Sequence, residues 1–490
     1  MRSDGATCHS AHSTLGAPPP SPRTPGEASG SSDCPRAGGG GGFFARNAEE
    51  DPHPNPPPEY RERGTGIRET QPNPLPEYRA RGLRSIRILH VINSFEYGGA
   101  EAMLCNLLLR CDRGRFEPSV AALIEDLTVA GPVLRAGIPV VTMGMKPGMP
   151  DPGGVARLAR HIRRARPDIV HCWMDHSNLV GGIAARLASR APVVWGVHHS
   201  DHVAGVTKRS TQLTVSACAA LSHRLPARIV CCSEHGRRMY ERLGFAADKL
   251  TVIPNGFDLD AFRPDPAARA AVRREIGVGP DAPLVALVAR YDPLKDHATF
   301  LRAAALLSKT RPDVRFLLCG SRVDASNAAL VAQIVSLRIN DRCHLLGPRR
   351  DVARIFAAVD VAASSSVSEA FPLAVGEAMA CGVPCVATDV GDCALMIGPT
   401  GRVVPPNDPV AMAAAWAELL GMDAAQRMAL GLAARQRVRE RFELGSVAER
   451  YQDLYRRLTR RHGAVGGRPR GAVRAFSGRT DYVQAGCAVS

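Results

Sequence analysis

The segment Glu369-Ala-Phe-Pro-Leu-Ala-Val-Gly-Glu377 sets two carboxylates eight positions apart around a proline, and Ala378-Met-Ala-Cys-Gly-Val-Pro384 follows directly. Pro372 suits the first turn of a helix, where a missing N–H costs nothing, and Gly382 and Pro384 end that helix about three turns later. Glu369 then stands in the loop before the helix. The backbone N–H groups of Leu373 and Ala374 are left unpaired at its positively polarised end, a seat for phosphate or sugar oxygens. Phosphate repels a carboxylate, so both glutamates are expected to accept hydrogen bonds from sugar or ribose hydroxyls. The spacing alone also fits two solvated charges at helix ends, because short motifs recur by chance.

A second constellation is Val288-Ala-Arg-Tyr-Asp-Pro-Leu-Lys-Asp296, just beyond an apolar run. Ligands of open parallel sheets bind at the carboxyl ends of strands, which is where Arg290 and Lys295 fall. Two fixed cations there could neutralise a departing diphosphate without a metal ion, and no metal is called for. Two solvated surface cations fit the segment equally well. Asn93-Ser-Phe-Glu-Tyr-Gly-Gly-Ala-Glu101 removes side chains at Gly98 and Gly99, where a ligand could approach the backbone. It lacks the G-x-G-x-x-G spacing of dinucleotide enzymes. In Val194-Trp-Gly-Val-His-His-Ser-Asp201, only one of His198 and His199 can face inward from an extended segment.

The elements that must hold these residues are short apolar runs alternating with helical stretches. Ile86–Ile92, Pro118–Leu123, Pro139–Thr142, Asp168–Cys172 and Pro192–Val197 read as one series of strands. A second series comprises Leu284–Ala289, Val314–Cys319, Cys343–Leu346, Val359–Ala363 and Pro384–Thr388. Such alternation predicts parallel sheets covered on both faces. Between the series, the turn-rich Ile253–Asp258 and Phe262–Pro266 have the composition expected where few contacts cross between domains.

At 490 residues, with 45% apolar and 22% charged side chains, the chain suits two globular domains rather than a disordered or fibrous protein. The net charge of +15 favours anionic partners, yet 5% aromatic residues give stacked nucleic-acid bases little support. The 14 cysteines form no C-x-x-C pair and several sit in strand-like runs, which points to buried thiols in a reducing compartment. No secretion signal or bilayer-length apolar stretch is evident, so the expected address is cytoplasmic. The basic, amphipathic stretch Val155–Arg166 is a candidate for peripheral contact with an anionic membrane, or simply a solvated face.

Together these segments resemble the retaining glycosyltransferases of the GT-B fold, family four, also called glycosyltransferase group 1. The resemblance covers about residues 86–460. It rests on Gly98-Gly99, Pro167-Asp-Ile-Val-His171, His198, Ile253-Pro-Asn-Gly256, Arg290 with Lys295, Leu346-Gly347, Glu369 with Glu377, and Gly391 followed by Gly401-Arg-Val-Val-Pro405, in family order. It implies two doubly wound Rossmann-like parallel-sheet domains facing each other across a cleft. Arg290 and Lys295 would hold the donor diphosphate, Glu369 the sugar hydroxyls and Glu377 the ribose. His198 would touch the transferred sugar, with Gly98 and Gly99 bordering the diphosphate and acceptor. The backbone from Leu346 and Gly347 to Arg349 would cradle the base, and Phe371, Leu373 and Ala374 would complete the donor site. Ala370 and Asp392 stand where relatives commonly carry glycine.

Composition and the resemblance together divide the chain into a Pro/Gly/Arg-rich tail expected to be disordered (1–83), an acceptor-side domain (84–265), a nucleotide-sugar-binding domain (266–440), a helix expected to pack back on the first domain (441–462), and a second tail expected to be disordered (463–490). The implied function is a retaining, metal-independent hexosyl- or N-acetylhexosaminyl-transferase. Its partners would be a nucleotide-sugar donor and a glycan or lipid-linked acceptor, with no cofactor and no nucleic acid. A sugar-nucleotide epimerase of the same fold and a catalytically silent glycan-binding scaffold are the competing readings.

Overall fold

The computed structural model describes residues 84–96, 98–146, 151–198 and 209–465, with side chains as far as Arg460. The tail expected over 1–83, the segment beyond 465, and His199 lie outside the described residues.

Seven strands build the first sheet: β1 (Ile86–Ile92), β2 (Phe116–Ala122), β3 (Val140–Thr142), β4 (Ile169–Trp173), β5 (Val193–Val197), β6 (Arg228–Cys231) and β7 (Leu250–Val252), in the order β3-β2-β1-β4-β5-β6-β7. Six build the second: β8 (Leu284–Val288), β9 (Arg315–Cys319), β10 (Cys343–Leu345), β11 (Val361–Ser364), β12 (Cys385–Thr388) and β13 (Arg402–Val404), in the order β10-β9-β8-β11-β12-β13. Every strand pair is parallel. These are two Rossmann-like sheets, as the alternation predicts. β6, β7 and β13 are not read from the sequence.

Successive residues of a strand serve opposite faces. Along β1, Ile88 and Ile92 enter one core while Leu89 and Val91 enter the other. Along β8, Leu284 and Ala286 alternate in the same way with Val285 and Leu287. Both faces are therefore apolar, which is why these strands are continuous Val/Leu/Ile/Ala runs. The covering helices start at readable caps. Asp151-Pro152, Asp265-Pro266 and Asp408-Pro409 each place an aspartate whose side chain accepts a helix N–H ahead of a proline that needs no partner.

The stretch between the two strand series is not the sparsely contacted linker its composition suggests. Ile253, Asn255 and Phe257 are buried. The Phe257 N–H donates to Phe442 O at 2.8 Å, and the Leu444 N–H donates to Phe257 O at 3.0 Å, so two crossing segments pair at the junction. The Phe257 ring fills the space a side chain at Gly376 would occupy. Apolar side chains at the crossing convert a turn-rich sequence into a packed seam. Beyond it the helix Leu444–Val465 buries Leu444, Val447, Tyr451, Tyr455 and Leu458 in the core shared with β1 and β4.

The helix Pro152–Ala165 turns Leu158, Ala159 and Ile162 into the first lobe's core. Its apolar face is thereby used, and only its exposed arginines could meet a membrane. No described helix is long and apolar enough to cross a bilayer.

Candidate functional site

In the second sheet β8 lies between β9 and β11, so strand order reverses there and a crevice opens at the carboxyl ends of β8 and β11. The chain leaving β8 makes a tight turn, Pro293–Lys295. Asp292 accepts from the Leu294 N–H at 2.9 Å, and Asp296, in the left-handed region (φ 43°), caps the next helix through the Thr299 N–H at 3.1 Å. The chain leaving β11 is stitched to this turn. Ser365 Oγ donates to Lys295 O and the Val367 N–H to Leu294 O, each at 2.9 Å.

The result is a direct pair. Lys295 Nζ donates to Glu369 Oε1 at 2.5 Å, and Ser366 Oγ donates to the same oxygen at 2.7 Å. The side chains are only 23% and 12% exposed, so the pair sits in a partly desolvated recess where charge interactions are stronger than in water. Glu369 Oε2 accepts nothing among the described residues, which leaves an acceptor for an incoming hydroxyl. The loop after β12 locks the arrangement. Gly391 has φ 56°, and a side chain there would strike the Glu369 carbonyl, so only glycine both turns and clears it.

The other expected residues are distributed unevenly. Arg290 is 61% exposed and pairs with Asp292 at 3.1 Å, so the predicted Arg/Lys clamp is half assembled. Glu377 lies in the helix Leu373–Ala380 with no donor among the described residues, and burial pushes its carboxyl up to about 8. Pro372 caps this helix instead of occupying its first turn. The Leu373 N–H is not free either, since it donates to Phe371 O at 2.9 Å; of the two N–H groups expected to seat a ligand, only Ala374's is left for it. The Phe371 ring stacks on Phe257 in the core, 6.0 Å between centroids, so only its backbone could serve a donor.

Leu346 and Gly347 end β10's excursion at the same sheet edge, with their N–H groups donated to Leu318 O and Val323 O. The Arg349 guanidinium is held by Glu275 and Asp351. Any cradle for a base there must use other backbone atoms. In the first lobe, Gly98 caps the helix Gly99–Leu109, and a side chain at Gly99 would come within 2.9 Å of Leu373 Cδ1. The glycine loop of one lobe thus abuts the start of the other lobe's helix, as an interdomain crevice requires.

His198 ends β5 with its ring stacked on Trp173, 5.1 Å between centroids and 18° between planes. Trp173 Nε1 donates to His90 Nδ1 at 3.1 Å, and His171 Nδ1 shares a hydrogen bond with Tyr455 Oη at 2.7 Å. Burial drives the His90 imidazole down to about 3, and burial followed by the neighbouring His90 and His198 rings holds His171 well below the ordinary histidine range. These are neutral hydrogen-bonding rings.

Trp173, Ser366 and Asp392 are contributors that sequence reasoning gives no role, and His171 is quoted only as the end of the Pro167–His171 motif. Ser366 stands in the serine run Ser364-Ser-Ser-Val-Ser368 three residues before Glu369, a signal that was available. Asp392 gave only a negative one, as a departure from glycine.

The family model for "Glycosyl transferases group 1" matches residues 282–422, and that for "Glycosyltransferase Family 4" matches residues 97–261. The D-inositol 3-phosphate glycosyltransferase of Kineococcus radiotolerans is 30% identical over 333 residues, 63% of this chain and 75% of that protein. That of Nocardia farcinica is 31% identical over 297 residues, 56% of this chain and 64% of its own, and a Mycobacterium relative (strain KMS) is matched over 37% of its length, so these two are covered over less than two thirds. Anabaena Alr3699/HepE, solved with UDP and glucose, superposes with a TM-score of 0.67 at 23% identity, covering 76% of this chain and all of that one. The two facing Rossmann-like sheets define a GT-B architecture. The chain belongs to the group 1 glycosyltransferases, family 4.

Proposed function

We propose that this protein transfers a hexosyl or N-acetylhexosaminyl group from a nucleotide-sugar donor to a glycan or lipid-linked acceptor, with retention of anomeric configuration and without a metal ion, in polysaccharide or glycolipid biosynthesis. The observation that carries the reading is the Lys295–Glu369 pair, 2.5 Å apart at the β8/β11 switch point. A partly buried ammonium there is placed to stabilise charge growing on a departing diphosphate. Glu369 Oε2 and the Glu377 carboxyl supply unoccupied acceptors for sugar and ribose hydroxyls. The UDP and UDP-glucose complexes of the Anabaena protein support a nucleotide-sugar donor.

In the proposed step the bond from the anomeric carbon to the phosphate oxygen breaks, and its electron pair stays on the diphosphate. The acceptor oxygen bonds to that carbon on the same face and passes its proton to the departing phosphate. Lys295, joined by Arg290 once it leaves Asp292, neutralises the leaving group, and His198 orients the sugar from the opposite lobe. Contact with an anionic membrane, if lipid-linked acceptors are used, would be electrostatic and peripheral.

The test is a panel of nucleotide sugars incubated with candidate acceptors in a chelator, with released nucleoside diphosphate and the anomeric configuration of the product measured. Release that depends on acceptor, with retention, is expected. Conversion of the donor to an epimer without acceptor would favour the epimerase reading, and a strict metal requirement would overturn the proposed metal independence.

A further inference from the structure

At the amino-terminal edge of β5 and β6, opposite the edge where His198 stands, two adjoining cavities of about 290 and 380 Å³ share Arg228 and Leu458 as a common wall. Arg186, Arg190 and Arg224 line the first, and Arg457 and Arg460 line the second. Among the described residues, neither lining contains an aspartate or a glutamate.

Arginines elsewhere in the chain are commonly paired: Arg110 with Asp258, Arg269 and Arg273 with Asp360, Arg349 with Asp351, Arg402 with Glu418. Arg186, Arg224, Arg228, Arg457 and Arg460 make no ion pair among the described residues. Asp453, on the same helix as Arg457 and Arg460, is taken by Arg456. Like charges gathered around Pro192, Leu225 and Leu454 repel one another, although salt screens them, since five of the six arginines are exposed and Arg228 is half-buried. A multivalent anion relieves that repulsion, and guanidinium forks match phosphate oxygens in bidentate fashion. The cations come from three segments of the chain, so the cluster is assembled by the fold and is not a charge run along one helix.

The geometry points to a second anion site: the double cavity binds a phosphate-bearing polyanion, remote from the cleft and independent of the sugar-transfer reading. Free polyphosphate and an anionic lipid headgroup present the same chemistry. Binding of sodium tripolyphosphate, and co-sedimentation with phosphatidylglycerol against phosphatidylcholine vesicles, would be measured at physiological salt. The proteins compared would be the wild type, Arg224→Glu/Arg457→Glu, Arg160→Glu/Arg163→Glu on the separate basic helix, and Lys295→Ala in the cleft.

Tripolyphosphate binding weakened at least about tenfold by Arg224→Glu/Arg457→Glu alone would support the site with a soluble ligand. The same dependence for phosphatidylglycerol vesicles without tripolyphosphate binding would support it with a headgroup. Absence of binding to both probes, indifference to the Arg224/Arg457 change, or equal weakening by Arg160→Glu/Arg163→Glu would overturn it. Arg224 and Arg457 are exposed, and Arg224→Gln/Arg457→Gln serves if the charge reversal misfolds.

Discussion

The Asp392 carboxylate, carried by the second lobe, accepts hydrogen bonds from the backbone N–H groups of Glu234 at 2.8 Å and His235 at 2.9 Å, at the start of a first-lobe helix. Ser233 Oγ accepts from the Gly236 N–H of the same turn at 2.9 Å. Three orphan donors of the helix Glu234–Arg242 are thus satisfied, two of them from across the lobes. Asp392 is 4% exposed, and the positive end of the helix compensates its charge. The residue that departs from the family's commoner glycine is a bridge between lobes.

Replacing Asp392 by alanine should therefore cost about 1 kcal/mol of stability, the usual worth of an N-cap, and loosen the contact between lobes. Thermal unfolding and small-angle scattering check this. An unchanged melting temperature with an unchanged radius of gyration would show the bridge to be without consequence.

Lys295→Ala and Glu369→Gln should each lower transfer by at least about a hundredfold, the scale of losing one preorganised charge-stabilising group. Each change leaves its partner unpaired in a partly desolvated recess and should cost some stability, so turnover is compared per folded protein. Turnover near the wild-type rate in either purified variant would remove that residue from the mechanism.

Glu377 gives a pH signature. Its carboxyl is raised by burial to about 8, so folding takes up a proton between the ordinary value of 4.5 and 8. The stability it withholds grows as pH rises through that window and is constant above it. Glu377→Gln should raise the melting temperature at pH 8.5 more than at pH 4.5. Ribose hydroxyls donating to this carboxyl favour its ionised form, so donor affinity should increase from pH 6 to about 8 in the wild type and be flat in the variant. Parallel profiles for the two proteins would contradict both expectations.

The ring column beneath His198 should matter for orientation. Trp173→Phe keeps an aromatic core residue but shrinks the stacking surface and drops the hydrogen bond to His90. It should lower kcat more than it raises KM, whereas a purely structural role would lower the melting temperature and leave the kinetics of the folded fraction intact. Leu444–Val465 contributes through Tyr455. Tyr455→Phe would leave His171 Nδ1 buried without its partner, a loss of about 1–3 kcal/mol seen in unfolding.

The sequence by itself determined the strands long enough to be buried on both faces, and it offers Lys295, Glu369 and Glu377 as candidates, because these are properties of residues and their near neighbours. Ser366 was equally local, three positions from Glu369 and overlooked. What the tertiary structure alone decided is who meets whom. Lys295 and Glu369 lie 74 residues apart and pair only because β8 and β11 are adjacent in the sheet. Asp392 and Glu234 are separated by 158 residues, and Tyr455 and His171 by 284. The same applies to Phe371, drawn into the core by Phe257, whereas the Arg290–Asp292 pair is two positions apart and local. Local periodicity records which face a residue turns, but strand order and lobe closure are fixed by the burial of surfaces distant in the chain, and no short window of sequence carries that information.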